Sequence, residues 1–95
     1  MDNNWLNEAR AKLDEIDFEI IDILARRYSI IREIGEFKKR NKIDVMQHDR
    51  VKKILERCSE EGAKYNLSKD FIKKLFSLLI EESCLIEEEI IKNSL

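Results

Sequence analysis

Residues 23–42, ILARRYSIIREIGEFKKRNK, decide the fold because their apolar side chains recur at helical spacing. The same pattern continues upstream, so that alternating steps of four and three residues join positions 9, 13, 16, 20, 23, 27, 30, 34 and 37. Such spacing predicts one long helix with a continuous apolar stripe, which we call the first-helix seam. One seam position is Arg27, a charged residue where an apolar side chain is expected.

The composition predicts an all-α chain that forms a single domain over residues 1–95. The 95 residues include no proline and two glycines, and strand-like alternation is absent. The charge of −2 offers no attraction for nucleic acid or an anionic membrane. No apolar run is long enough to cross a bilayer, and no secretory signal is visible, so we expect a cytoplasmic protein.

Three helices are predicted, at residues 4–41, 47–63 and 68–93, with a loop at residues 42–46. Gly62 is expected at the C-terminal end of the second helix, and Ser68 is expected to cap the third. The third helix has its own seam, again with steps of four and three, at positions 72, 76, 79, 83, 86 and 90. Ser83 is the polar member of that seam.

The length of the first helix predicts that a second chain covers it. A helix of 38 residues is ~57 Å long, whereas a compact chain of this size has a radius of gyration of ~12 Å. The other two helices are too short to bury the whole seam by folding back on it. We therefore expect an intertwined helical homodimer, in which parts of each first helix pack against the partner.

Polar residues in the seams indicate a ligand pocket inside this bundle. Lys38 lies eleven residues after Arg27, on the same helix face and ~16 Å along the axis, so both cations can hold a small dianion. Ser83 and Glu87 lie one turn apart on the third helix and add polar partners to the same interior. Pockets built from facing helices of a bundle are common ligand sites.

Arg10 is expected to reach that pocket from the other chain. It lies seventeen residues before Arg27, ~26 Å along the axis, so the two cannot hold one small ligand within one chain. The alternative is structural: Arg27 pairs with a carboxylate such as Asp17 or Glu19 of the partner, or extends its stem toward solvent.

The sequence contains no pattern for covalent or metal chemistry. Cys58 and Cys84 are 26 residues apart, a spacing that matches no metal motif, and both are expected to be small buried thiols. His48 has no second ligand candidate nearby and is expected to be solvated or to cap a helix. We expect neither metal nor cofactor, so an enzyme built this way must work by binding and electrostatics.

Eight residues in this order, on three helices, resemble the all-helical class of chorismate mutases, and the resemblance extends from residue 8 to residue 91. The motifs are EARAKLDEID, LARRYSIIREIGEFK, QHDRV and LIEESCLIEEE. The residues that carry it are Arg10, Asp17, Arg27, Gly35, Lys38, Arg50, Ser83 and Glu87.

The resemblance implies a cofactor-free isomerase: a [3,3] rearrangement of chorismate to prephenate, in aromatic amino acid biosynthesis from the shikimate pathway. Arg27 and the partner's Arg10 would hold the two carboxylates of this dicarboxylate substrate, and Lys38 would hydrogen-bond its ether oxygen. Catalysis is thereby assigned to Lys38, Glu87 and Arg27. The full set that the resemblance places around substrate is Arg10, Arg27, Lys38, Gln47, Arg50, Val51, Ser83 and Glu87.

Glu87 departs from the family pattern, in which many members have glutamine at the ether oxygen. An ionised glutamate cannot donate a hydrogen bond there. We expect Glu87 to act in its protonated form, because burial disfavours the charged carboxylate. The alternative is that Glu87 is solvated together with Glu88 and Glu89.

Val51 and Gln47 leave the substituent at ring carbon C4 undetermined. Bacterial members commonly have a glutamate in place of Val51, which accepts a hydrogen bond from the C4 hydroxyl, and an aspartate in place of Gln47. The string VMQHDRV resembles relatives that act on 4-amino-4-deoxychorismate, yet neither residue supplies the carboxylate that a C4 ammonium needs. Further alternatives are an isochorismate pyruvate-lyase and a non-catalytic helical dimer module.

Overall fold

The computed structural model describes residues 3–93, and these residues form three α-helices and no strands. Helix α1 is Asn3–Asn41, α2 is His48–Ala63 and α3 is Lys69–Lys92. The predicted all-α fold with a very long first helix is confirmed, and each predicted boundary lies within one residue of the observed one. Within residues 3–93 no helix combines the length and apolar character needed to span a membrane.

The chain divides into two compact units, Met1–Ile30 and Ile31–Leu95. The described residues of the first unit all belong to α1. The seam side chains of this part of α1, Leu13, Ile16, Ile20 and Ile23, are 49–56% exposed. A single amphipathic helix cannot bury its own apolar face, and short helices gain most of their stability from such burial. The seam of this unit is therefore an apolar surface without a core of its own.

The second unit contains the core, which forms where α2 packs against α3. Ile72 and Ile80 are buried, and the predicted third-helix seam is confirmed because its other members are all buried or half-buried. The inward face of α2 is half-buried at Val51, Ile54, Leu55 and Cys58, although Cys58 was expected to be fully buried. Charged side chains occupy the opposite faces, as expected for surface helices.

Gly62 allows α3 to approach closely and is not the left-handed cap that its position suggested. Helix α2 continues through Ala63, and no glycine has a positive φ in the described chain. A Cβ on Gly62 would lie 2.8 Å from Ile72 Cγ1, so any side chain there would collide with α3. The left-handed residue of this turn is Asn66, with φ 61°.

Ser68 caps α3 as the sequence predicts. The Phe71 backbone N–H donates to Ser68 Oγ at 3.2 Å, and Asp70 lies in the first turn, where a negative charge favours the helix dipole. The predicted loop after α1 is also present. It begins at Lys42, with φ 55°, and the Ile43 N–H donates to Lys38 O at 3.0 Å.

Replacing Ser68 by alanine should lower the free energy of unfolding by about 1 kcal/mol, because one N–H of the first turn of α3 loses its acceptor. Ser68→Asp should retain most of the stability, since aspartate accepts the same bond. Ser77→Ala, the same change at an exposed position inside α3, should stay within about 0.5 kcal/mol of the parent. Urea unfolding followed by circular dichroism at one protein concentration measures all three. Equal losses in Ser68→Ala and Ser77→Ala would contradict the cap.

Candidate active site

A buried ion pair links the C-terminal end of helix α1 to helix α3. Lys38 Nζ lies 2.7 Å from Glu87 Oε1, with the lysine side chain 14% exposed. The same ammonium donates to the backbone oxygen of Val45 at 2.9 Å, so the lysine is held by α3 and by the loop before α2. An ammonium has three N–H groups, so Lys38 can also donate to a ligand.

Glu87 is buried as expected, and the alternative that it is solvated with its acidic neighbours is wrong. Its residue exposure is 5%, whereas Glu88 and Glu89 are exposed. Its Oε1 lies 2.7 Å from the Lys38 ammonium, so the buried carboxyl group has a charged partner in this chain. The protonation of Glu87 in an occupied site remains a prediction.

Gly35 determines how closely these two helices approach. A Cβ at this position would lie 2.9 Å from Ile90 Cδ1 and 3.4 Å from Glu87 Cα. Glycine at this position allows a close approach, and the neighbour is the backbone of α3. Because Lys38 lies one turn after Gly35, this contact brings the lysine within reach of the glutamate.

Ser83 lies one turn before Glu87 and is buried, at 6% exposure. Its Oγ donates to the backbone oxygen of Leu79 at 2.8 Å, so the polar member of the α3 seam is bonded within its own helix. The predicted proximity of Ser83 and Glu87 on one helix face is confirmed.

Val51 borders a cavity of about 330 Å³ between the loop, α2 and α3, which we call the Val51 cavity. Burial, and next the charge of Glu87, raise the pKa of the Cys84 thiol at its wall; Lys38 acts in the opposite direction, and Glu88 adds a smaller increase. The thiol is therefore protonated at neutral pH and is a poor nucleophile. The cavity is lined by Met46, Val51, Ser77, Ile80, Glu81, Cys84, Leu85 and Glu88.

Gln47 and Arg50 are exposed and line a separate depression with His48, Asp49 and Lys53. His48 is exposed at the first position of α2, which agrees with a solvated residue.

Arg10 and Arg27 belong to the first unit, where Arg10 is exposed and Arg27 is half-buried. The part of the chain that the structure describes holds no group of three or more His, Cys, Asp or Glu side chains placed to bind a metal.

Sequence reasoning missed several neighbours of the ion pair. Cys84 lies one turn before Glu87 on α3, so the α3 periodicity contained a signal for it. Cys84 was expected to be buried but is half-buried, because it lies at the cavity wall. The Val45 carbonyl gave no signal, because backbone acceptors cannot be read from side-chain patterns.

These features define a helical-bundle protein whose site contains a buried cation and a buried carboxylate and lacks an activated nucleophile. A family model described as chorismate mutase type II matches residues 9–88. The chain therefore belongs to the chorismate mutase type II family, a family of isomerases.

Several characterised proteins resemble the chain over nearly its full length. A bifunctional chorismate mutase/prephenate dehydratase of Buchnera aphidicola (subspecies Acyrthosiphon pisum) is 34% identical over 90 residues, which are 95% of this chain and 23% of that protein. The chain thus spans less than a quarter of the length of such bifunctional relatives.

Two shorter relatives match over most of their own length. A 4-amino-4-deoxychorismate mutase of Streptomyces venezuelae is 30% identical over 92% of this chain and 84% of that protein. A chorismate mutase of Methanocaldococcus jannaschii is 28% identical over 94% of this chain and 90% of that protein.

Replacing Gly35 by alanine should destabilise the protein, because the new Cβ would collide with Ile90 Cδ1. Overpacking of this kind typically costs about 1–3 kcal/mol, and the higher helix propensity of alanine offsets ~1 kcal/mol. Ile90→Val removes the colliding atom, so Gly35→Ala should cost less in the valine background than in the parent. A double-mutant cycle by urea unfolding measures this coupling, and strictly additive losses would contradict the close contact.

Proposed function

We propose that the chain catalyses the rearrangement of chorismate to prephenate. The observation that carries this proposal is the buried Lys38–Glu87 pair at 2.7 Å, in a chain of the chorismate mutase type II family. Both residues are ones that the resemblance assigns to the ether oxygen of the substrate. The nearby thiol is protonated, which suits a reaction without a covalent intermediate.

Lys38 would stabilise the transition state electrostatically. As the ether C–O bond breaks, negative charge grows on the oxygen, and a preorganised donor in a dry site lowers the barrier by a few kcal/mol. Lys38 meets both conditions, since its side chain is 14% exposed and its ammonium is held by Glu87 and the Val45 carbonyl. Ground-state contacts that are already in place need no reorganisation during the reaction.

Glu87 would lie on the other side of the ether oxygen from Lys38. A protonated Glu87 could donate a hydrogen bond to that oxygen, whereas an ionised Glu87 could only accept one. We propose that the substrate displaces the direct Lys38–Glu87 contact when it binds, and that Glu87 then holds a proton taken from solvent. A kcat/KM that is flat from about pH 5 to about pH 9 would exclude this role. A donor that loses its proton within that range must change kcat/KM as the pH rises.

Arg27 and the partner's Arg10 would hold the two carboxylates and keep the reacting carbons close together. We propose an intertwined homodimer in which each site takes Arg10 from the other chain. The exposed first-helix seam supports it, because a second chain would bury those side chains. Gln47, Arg50, Val51 and Ser83 would complete the wall around the substrate. A single domain over residues 1–95 and a cytoplasmic location remain parts of this proposal.

Replacing Arg27 by methionine should reduce kcat/KM for chorismate by about 100-fold or more, because one carboxylate loses a charged partner inside the site. The dimer should persist, since methionine fills the seam as an apolar side chain. Arg26→Met is the matched control at an exposed neighbouring position and should change kcat/KM less than about twofold. Loss of chorismate absorbance and chromatography of prephenate give the rates, and sedimentation gives the assembly state.

Full activity of Arg27→Met would contradict the assigned role and restore the view of Arg27 as a structural residue. No turnover of chorismate by the parent protein would instead favour an isochorismate pyruvate-lyase or a non-catalytic dimer module. Release of pyruvate from isochorismate separates those two alternatives.

A further inference from the structure

The turn that follows α1 is bonded to both ends of one residue, Lys38. The backbone oxygen of Lys38 accepts a hydrogen bond from the Ile43 N–H at 3.0 Å. Its side-chain ammonium donates to the backbone oxygen of Val45 at 2.9 Å. The turn and the lysine therefore hold each other, and a change in the course of residues 42–45 would move the ammonium.

Lys42 sets the course of this turn. Its φ of 55° is left-handed, a conformation that glycine adopts readily and that a Cβ disfavours. A left-handed residue after a helix, followed by an N–H that bonds back to the last turn, forms a Schellman motif, in which glycine is the usual left-handed residue. The Lys42 side chain is exposed, so substitutions here act mainly through the preference of the backbone.

The bond to Val45 gains importance when the site is occupied. In the proposed reaction the substrate displaces the direct contact between Lys38 and Glu87. The ammonium is bonded to Val45 as well as paired with Glu87, so the Val45 carbonyl still holds it after that displacement. A donor that is already oriented when charge develops on the ether oxygen stabilises that charge without reorganisation.

We propose that Lys42 and Val45 are positioning residues for this reaction: the left-handed turn at Lys42 places the Val45 carbonyl, which orients the Lys38 ammonium toward the ether oxygen. Both residues act through Lys38 and not on the substrate itself. The inference rests on the proposed function, because it explains how the lysine of that reaction is oriented. It makes the rate of the chemical step depend on the backbone conformation of an exposed turn.

A second left-handed residue provides a matched comparison. Asn66, with φ 61°, lies in the turn between α2 and α3 and is exposed, as Lys42 is. The Leu67 N–H donates to the Gly62 oxygen at 3.1 Å, five residues back, as the Ile43 N–H does in the first turn. The ammonium of Lys38 is bonded to the first turn. The same substitution in both turns therefore separates strain in a Schellman motif from displacement of the lysine.

The test measures kcat and KM for chorismate in Lys42→Gly, Lys42→Val and Asn66→Val. Valine disfavours the left-handed conformation and glycine favours it, whereas both changes at Lys42 remove the same charge. Lys42→Val should lower kcat about tenfold and change KM less than about twofold, because a misplaced donor is lost mainly in the transition state. Lys42→Gly should keep kcat within about twofold of the parent.

Asn66→Val is the control for strain. Asparagine tolerates the left-handed conformation better than lysine does, so Asn66→Val should lower the urea midpoint at least as much as Lys42→Val. Its kcat should nevertheless stay within about twofold of the parent, because Lys38 keeps its orientation. Circular dichroism at the assay temperature shows that each variant is folded during the rate measurement.

An ester variant tests the Val45 carbonyl directly and does not depend on the folding of Lys42→Val. Replacing Met46 by its α-hydroxy analogue turns the amide after Val45 into an ester, whose carbonyl oxygen is a weaker acceptor. Ligation of synthetic segments at Cys58 gives the full chain. This variant should lower kcat about fivefold, because the bond to a charged donor is weakened. The corresponding ester after Asp44, in the same turn, should keep kcat within about twofold, since Lys38 donates to Val45.

The outcomes separate this inference from the proposed function. Equal kcat values in folded Lys42→Gly and Lys42→Val, or an unchanged kcat in the ester after Val45, overturn the inference and leave the proposed function intact. A fall of the same size in Asn66→Val, or in the ester after Asp44, also overturns it, because the effect would then not depend on Lys38. Failure of the parent to convert chorismate removes the proposed function and this inference together.

Discussion

The contact between Gly35 and the backbone of α3 at Glu87 is the constraint on which the site depends. A Cβ at position 35 would lie 2.9 Å from Ile90 Cδ1 and 3.4 Å from Glu87 Cα, so a side chain there would force Ile90 to shift. At that separation Lys38 reaches Glu87 across the helix contact, at 2.7 Å. Inside α1, glycine costs ~1 kcal/mol of helix propensity relative to alanine. Its presence is explained by the close helix approach, which brings the charges of Lys38 and Glu87 together.

The burial of these charges gives the ion pair its proposed function. Lys38 and Glu87 are held in place before any ligand arrives, and a charge interaction is stronger there than in water. A rearrangement that develops charge on one oxygen can use such a fixed donor without moving a proton. The carboxylates of the substrate need further cations, and the residues proposed to supply them, Arg10 and Arg27, lie in the other unit of the chain.

Much of the fold could be predicted because helical periodicity was unbroken. Steps of four and three located α1 and α3, and Ser68 marked the start of α3 through ordinary capping chemistry. The roles of Gly62 and Val45 could not be predicted, since one depends on the distance to Ile72 and the other on a backbone carbonyl. Helical spacing placed Arg27 on the same face as Lys38, whereas the resemblance supplied the individual carboxylate-holding roles of Arg10 and Arg27. The position of both arginines near Lys38 stays a prediction.

We propose that each active site is built from two chains, and mixing two inactive variants tests this arrangement. Arg10→Ala and Lys38→Ala should each abolish most turnover of chorismate. When the two are unfolded together in equal amounts and refolded, half of the dimers should be mixed, and each mixed dimer should contain one intact site. The account predicts recovery of about a quarter of the parent activity, as symmetric exchange of identical chains requires. Recovery of no activity, with mixed dimers demonstrated by mass spectrometry, would contradict a site that takes Arg10 from the partner.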